Sequence, residues 1–314
     1  MGLVESWGGN PIGWFFAHLI EAFYNFFYAL FNPGLWLSWV PTINGPMEQA
    51  QQESLMRFIY YGASVELFFV VLVIFLIVTA IGVINNNFMW GVVRGLEGFA
   101  NAVGRIAAWA GLLMVLQQIV IIFMQRVFAV AEISMGFGTT FTKDVSWWSE
   151  ELKLYNAMIV CLCAAYTFVQ GGHVRVDLIY SAISYRAKRV VDMFGSMIFM
   201  VPGALVIWLY GWFFLWRHMV VPNPSASDTL DRLLTKARAL RWNIETIGFS
   251  PNGFNAYFLF KVLLVIFTLM ILLQAVAFFY RSYLEWKEGP ASEDKYLDKD
   301  VLGDPTAETV AQIH

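Results

Sequence analysis

Six runs of apolar residues follow one another along the chain, separated by stretches that hold most of its charged side chains. They cover about Ile12–Phe31, Ile59–Ile84, Ile106–Phe123, Leu154–Val169, Phe194–Trp216 and Tyr257–Tyr280. A hydrocarbon core of ~30 Å needs roughly 20 residues of helix, so each run is long enough to cross it. A spanning barrel would show short alternating strands instead. The pattern therefore predicts an all-α polytopic membrane protein with about six transmembrane helices. The first run is rich in aromatics and is interrupted by His18 and Glu21, three positions apart. It fits either a crossing helix or one lying in the membrane interface.

Two shorter segments read as amphipathic helices. Between Asp228 and Trp242, Leu230, Leu233, Leu234, Ala237 and Leu240 recur at helical spacing, with Arg232, Lys236, Arg238 and Arg241 on the other side. Such a helix suits a membrane surface or a partner protein. Between Val92 and Val103, Val92, Leu96, Phe99 and Val103 share a face, which predicts a segment along the interface before the third span. From Glu288 the composition turns polar and acidic, as expected of a flexible tail over 288–314.

Composition agrees with a membrane location. Apolar residues make up 59% of the chain and charged residues 14%, against about a quarter charged in soluble domains; mean hydropathy is +0.60. The net charge of −3 implies nothing about partners, and no basic stripe points to nucleic acid. Cys161 and Cys163 sit inside one apolar run, where their spacing points them apart, so packing is expected rather than a disulfide. No basic segment with a small-residue cleavage site opens the chain, and no cleaved signal peptide is expected. Lys and Arg in the connectors favour both ends inside once the basic 228–242 segment is set aside. Trp109, then Trp208, Trp212 and Trp216, then Tyr280 and Tyr283 mark span ends as interfacial anchors.

Polar residues inside the runs are few. Gln117 and Gln118 fall within the third, and Gln274 in the sixth is a candidate interhelical partner for them. Glu66 stands at the start of the second run, within reach of water. Ionisable groups within the runs, such as His18, Glu21 and Glu66, are too sparse to build a conduction path, and Pro202-Gly203 reads as a kink. No nucleotide-binding loop is present, no histidine pair shares a face within a span, and no activated nucleophile appears. The chain is expected to be no enzyme and to hold no cofactor or metal. His173 and Asp177 lie on one helix face at the end of the fourth run, where a cap, an ion pair or a neighbouring subunit would suit them.

Several elements, taken in order, resemble the small membrane subunit (Q-type) of tripartite ATP-independent periplasmic (TRAP) transporters. Gln125-Arg126-Val127-Phe128 matches an Arg-aromatic region closing a span. Trp148-Ser149-Glu150-Glu151-Leu152 matches a periplasmic Trp-x-x-Glu-Leu element, with Trp148, Glu151 and Leu152 as its family positions. His173-Val174-Arg175-Val176-Asp177 matches a His-x-x-Val-Asp signature, and two further spans follow. The likeness runs from about Leu96 to Glu285. It implies a four-helix family core over 91–287, preceded by an N-terminal extension over 1–90 that adds a pair of apolar spans. The first 90 or so residues have no counterpart in the minimal core, and Pro222–Trp242 is longer than the usual final periplasmic loop.

The resemblance implies a bacterial inner-membrane protein that scaffolds a large permease subunit, for sodium-coupled uptake of a small organic anion. A periplasmic solute-binding receptor would deliver the solute, a carboxylate or a sugar acid, and Arg232, Lys236, Arg238 and Arg241 become candidates for docking it. His173, Arg175 and Asp177 become candidates for assembly. The alternative reading is a membrane-anchor subunit of a respiratory haem or quinone enzyme.

Overall fold

The computed structural model describes residues 2–42, 47–136, 141–171, 180, 182–220, 229 and 253–300. The helices, in chain order, are α1 (Leu3–Trp7), α2 (Pro11–Phe31), α3 (Gly34–Leu37), α4 (Gln49–Tyr61), α5 (Val65–Ile84), α6 (Asn86–Ile122), α7 (Val145–Val169), α8 (Tyr185–Gly195), α9 (Val201–Val220) and α10 (Phe258–Glu288). A π-helical turn, Phe123–Val127, extends α6, and another, Ser196–Met200, joins α8 to α9. The chain is an all-α polytopic membrane protein. Among the described residues, five helical stretches are long and apolar enough to cross a membrane: Val65–Ile84, Asn86–Val127, Val145–Val169, Tyr185–Arg217 and Phe258–Glu288.

The first apolar run does fold as a helix, α2, but it is not among those five. His18, Glu21 and Asn25 fall in its middle and dilute the apolar character of any window long enough to span. The described residues therefore offer five spans where the apolar runs predict six.

Contacts divide the chain into two compact units, residues 1–85 with 206–265 and residues 86–205 with 266–314. Part of the expected 91–287 core thus packs with the N-terminal region. In this first unit α4 is started by a reciprocal cap: Glu48 accepts from the Gln51 backbone, and the Gln51 side chain accepts from Glu48 N at 3.0 Å. Its buried positions Leu55, Met56 and Ile59 meet Trp39, Leu215, Met219 and Val265. The last carbonyls of a helix have no partner within it. Here indoles supply one. Trp212 Nε1 donates to Ile59 O at 2.5 Å, and Trp208 Nε1 to Gly62 O at 2.6 Å. A Cβ on Gly62 would lie 2.1 Å from the Trp212 ring, so glycine is what lets the indole reach over the helix end. Trp208, Trp212 and Trp216, expected as interfacial anchors, pack against α4, with Trp216 edge-on to Phe58.

In the second unit α6 passes without a break through the segment expected to lie apart from the third span. Its buried stripe is Met89, Val93, Glu97, Ala100, Asn101, Gly104, Ala107 and Ala110, while Phe99 is exposed. The face expected from Val92, Leu96, Phe99 and Val103 is thus not the one most deeply covered. Small residues on the stripe let α7 approach closely. A Cβ on Gly104 would stand 2.2 Å from Tyr166 Cβ.

Between α6 and α7 a two-stranded antiparallel hairpin, β1 (Glu132–Met135) and β2 (Phe141–Asp144), pairs Glu132 with Asp144 and Ile133 with Lys143. Asp144 accepts from Ser146 N at 2.7 Å and caps α7, and the Ser146 side chain, with that backbone bond, holds its carboxyl below the usual carboxylate range.

The segment after α10, expected to be flexible from Glu288, is placed against the helices as far as Asp300. Leu297 packs with Ala100, Ala165, Val169 and Met270. Asn101 Nδ2 donates to Asp298 O at 2.8 Å, and Gln170 takes the backbone N–H of Asp300 at 2.9 Å. Its acidic residues find cations and amides on α6 and α7, which the composition of the tail alone does not reveal.

Candidate functional site

Two polar clusters stand out, both in the second unit. The first joins α6 to the opening turns of α7. Gln117 Nε2 donates to Glu151 Oε2 at 3.1 Å and to the carbonyl of Trp148 at 3.3 Å. Trp148 is buried, edge-on to Trp147 with ring centroids 5.1 Å apart, and its Nε1 has no hydrogen-bond partner among the described residues. Leu152 is half-buried one position beyond Glu151. The pairing predicted between Gln117 and Gln274 is not made. Glu151 is the nearer and stronger acceptor, and a charged acceptor roughly doubles the value of such a bond. Gln118 is exposed, and Gln274 is buried with its Oε1 lacking a partner among the described residues.

The second cluster is a chain of buried charges. Arg281 on α10 donates to both oxygens of Glu97 on α6, at 2.6 and 2.5 Å, and to the carbonyl of Lys295 at 3.1 Å. Its Nη1 also reaches Glu285 at 3.5 Å, one turn along the same helix. Arg189 on α8 sets its Nε 2.8 Å from the other Glu285 oxygen, close enough to pair as charges although the N–H is not aimed along that line. It also donates to Glu293 at 2.7 Å and lies 3.4 Å from Asp192. Arg105 completes the arrangement at the surface, pairing with Asp298 at 3.0 Å and Asp300 at 2.6 Å. Those two carboxyls are held below the usual range chiefly by the Arg105 guanidinium.

The sequence reading missed this second cluster. One signal was available: Glu97, Asn101 and Arg105 recur every four residues on one face of α6, and Arg281 and Glu285 do the same on α10. Spacing marks the faces but cannot join them. The remaining expected site residues, His173, Arg175 and Asp177 and then Arg232, Lys236, Arg238 and Arg241, lie outside the described residues, as does most of the 228–242 segment.

Both clusters join helices of the second unit through side-chain bonds and ion pairs. Among the described residues no group of three or more His, Cys, Asp or Glu side chains could ligate a metal ion. The buried carboxylates and guanidiniums described above are engaged with one another, a pattern that fixes helices in register.

An all-α chain with several membrane-crossing helices and polar groups committed to interhelical contacts belongs to the class of polytopic membrane proteins. Residues 127–231, about a third of the chain, match the family model of the DctQ component of tripartite ATP-independent periplasmic transporters. The matched stretch takes in Trp148, Glu151, Leu152, Arg189 and the residues 173–177, and it supports a small TRAP membrane subunit. That family is a transporter component rather than an enzyme family. No curated protein and no solved structure matches the chain.

Proposed function

We propose that this chain is the small integral-membrane subunit of a TRAP secondary transporter, and that it scaffolds a large permease subunit in the bacterial inner membrane. The large subunit carries the solute and sodium pathway, and a periplasmic receptor delivers a small organic anion such as a carboxylate or sugar acid. The observation that carries this reading is the family match over 127–231, which includes the Trp148–Glu151 element bonded to Gln117. The charge pairing supports it as well: ionisable groups locked in interhelical pairs suit a support better than an ion path. In this reading the connector between α7 and α8 and the residues after α10 face the cytoplasm, and 126–153 faces the periplasm.

Co-expression with a large permease tests the proposal. The two should co-purify, and sodium-driven uptake in liposomes should require both subunits plus the receptor. Uptake by this chain alone would refute it. In the same assay His173→Ala should lower the yield of complex and leave solute binding by the receptor unchanged. A variant that assembled fully yet transported nothing would put His173 in the mechanism instead.

A further inference from the structure

We propose that α1 and α2 form a hairpin lying in the membrane interface, on the side where α9 ends and α10 begins, with its aromatic outer face immersed in lipid. The chain then crosses the bilayer five times, and the residues before α5 and after α10 face opposite sides.

The way α2 meets α5 is the first ground. Asn25 Nδ2 donates to Glu66 Oε1 at 3.0 Å. Yet Trp14, Phe15 and His18 all bring their rings to Phe69, with centroids 5.8, 5.3 and 5.5 Å away. Trp14 to Asn25 is about 16 Å of helix, whereas Glu66 to Phe69 is only about 5 Å. Two helices spanning side by side would spread their contacts over similar lengths of each. Here much of α2 is gathered on the first turns of α5, with Ala22 buried against Phe69 and Val70 at the crossing. Since α5 crosses the membrane, a helix laid steeply across its end runs near the membrane plane.

The fold-back of α1 is the second. Val4 N donates to Glu21 Oε2 at 2.9 Å, and a Cβ on Gly2 would stand 2.4 Å from Glu21 Oε1. Glu21 is the midpoint of α2, about 15 Å from either end. If α2 spanned, this carboxylate would sit at the bilayer centre. The first turn of α1 with its exposed Glu5 and Ser6 would lie beside it, and no water would solvate them. In the interface the same groups meet water.

The outer face identifies what covers it. Nine of the 21 residues of α2 are Phe, Tyr or Trp, the composition of the interfacial belt rather than of a hydrocarbon-spanning helix. Ile12, Phe16, Ile20, Phe27 and Phe31 are exposed along its whole length, and Trp7 of α1 is exposed with them. The side follows from connectivity. Four crossings, from α5 through α9, return the chain to the side of α4, as the bond from Trp212 to Ile59 requires.

Nitroxide labels at Ile12→Cys, Ile20→Cys and Phe27→Cys, in a Cys161→Ala/Cys163→Ala background, test the depth. The full chain is placed in phosphatidylethanolamine–phosphatidylglycerol liposomes, and collisions with oxygen and with a water-soluble nickel chelate are compared. All three labels should report one shallow depth. Ile20 at the centre with the other two near opposite surfaces would overturn the proposal. Loss of oxygen access at all three on adding the large subunit would give the face to protein and overturn the lipid assignment. In right-side-out vesicles an impermeant maleimide should react with Ser6→Cys and Thr229→Cys and spare Ser184→Cys. Ser6→Cys reacting only after lysis, together with Ser184→Cys, would place a crossing in α2 and sink the idea.

Discussion

Arg281 and Glu97 stand 184 residues apart in the chain, yet they meet through two parallel hydrogen bonds of 2.6 and 2.5 Å, with both side chains buried. The planar guanidinium matches the carboxylate edge to edge, which makes such a pair specific as well as strong. Removing one partner strands a buried charge, at a cost of about 3–5 kcal/mol. Glu97→Gln and Arg281→Met should each lower the unfolding temperature in detergent markedly. Replacing both with Glu97→Leu/Arg281→Met should recover at least half of the loss, because Glu285 keeps Arg189 as its partner. A double variant no better than the worse single one would show that the two residues are not coupled.

Glycines on α6 offer a second test with its own control. Gly104 faces Tyr166 with no room for a methyl group, so Gly104→Ala should destabilise by roughly 1–3 kcal/mol through overpacking. Gly95 and Gly98 have nothing within 4 Å of a added Cβ position, and both are exposed. Gly95→Ala and Gly98→Ala should be neutral or stabilising by up to about 1 kcal/mol, since alanine holds a helix better. Equal effects at all three positions would deny the close approach of α6 and α7.

How much of this was legible in the sequence depends on what lies around each helix. Val65–Ile84 and Phe258–Glu288 stand out because long apolar runs have few other uses. The inward face of α6 did not stand out, because the apolar face of Val92, Leu96, Phe99 and Val103 drew the reading to an interfacial segment instead. Glu97 and Asn101 occupy that face because Arg281 and Asp298 satisfy them there. For Trp208 and Trp212 the sequence showed a span end but not the partner. An indole at a span end suits a headgroup region, and only the fold reveals that the carbonyls of Ile59 and Gly62 take its N–H. The partner of Gln117 was equally hidden, since many residues on another helix were open to it.

Acid should release the segment after α10. Asp298 and Asp300 have carboxyls held below their ordinary range by Arg105, so their contribution is fully present above the unfolded carboxylate range. It is lost as pH falls through their lower folded values. Amide hydrogen exchange at residues 292–300 should stay slow at neutral pH and rise only below about pH 4. Asp298→Asn/Asp300→Asn should show fast exchange already at pH 7. Slow exchange in that variant would mean that Leu297 and the backbone bonds suffice.

The Gln117 contact predicts an assembly phenotype. Gln117→Leu leaves the half-buried Glu151 without its side-chain donor, a loss of about 1.5–3 kcal/mol for a bond to a charged group. The variant should melt earlier and give less complex with the large permease, and Glu151→Gln in the same background should restore part of both. Undiminished complex from Gln117→Leu would confine this contact to the fold of the chain itself.

The unbroken run of α6 and its π turn, from Asn86 to Val127, has a consequence for the membrane surface. Its 42 residues measure about 63 Å, while a helix tilted by 40° uses only about 26 residues to traverse a ~30 Å core. About 16 residues therefore stand clear of the hydrocarbon, shared between the first end, with Asn86, Asn87, Arg94 and Glu97, and the last, with Gln125 and Arg126. With Gln125–Val127 at the far side, the first end forms a ledge roughly 15 Å deep. A molecule arriving at the bilayer from there touches helix before it touches lipid.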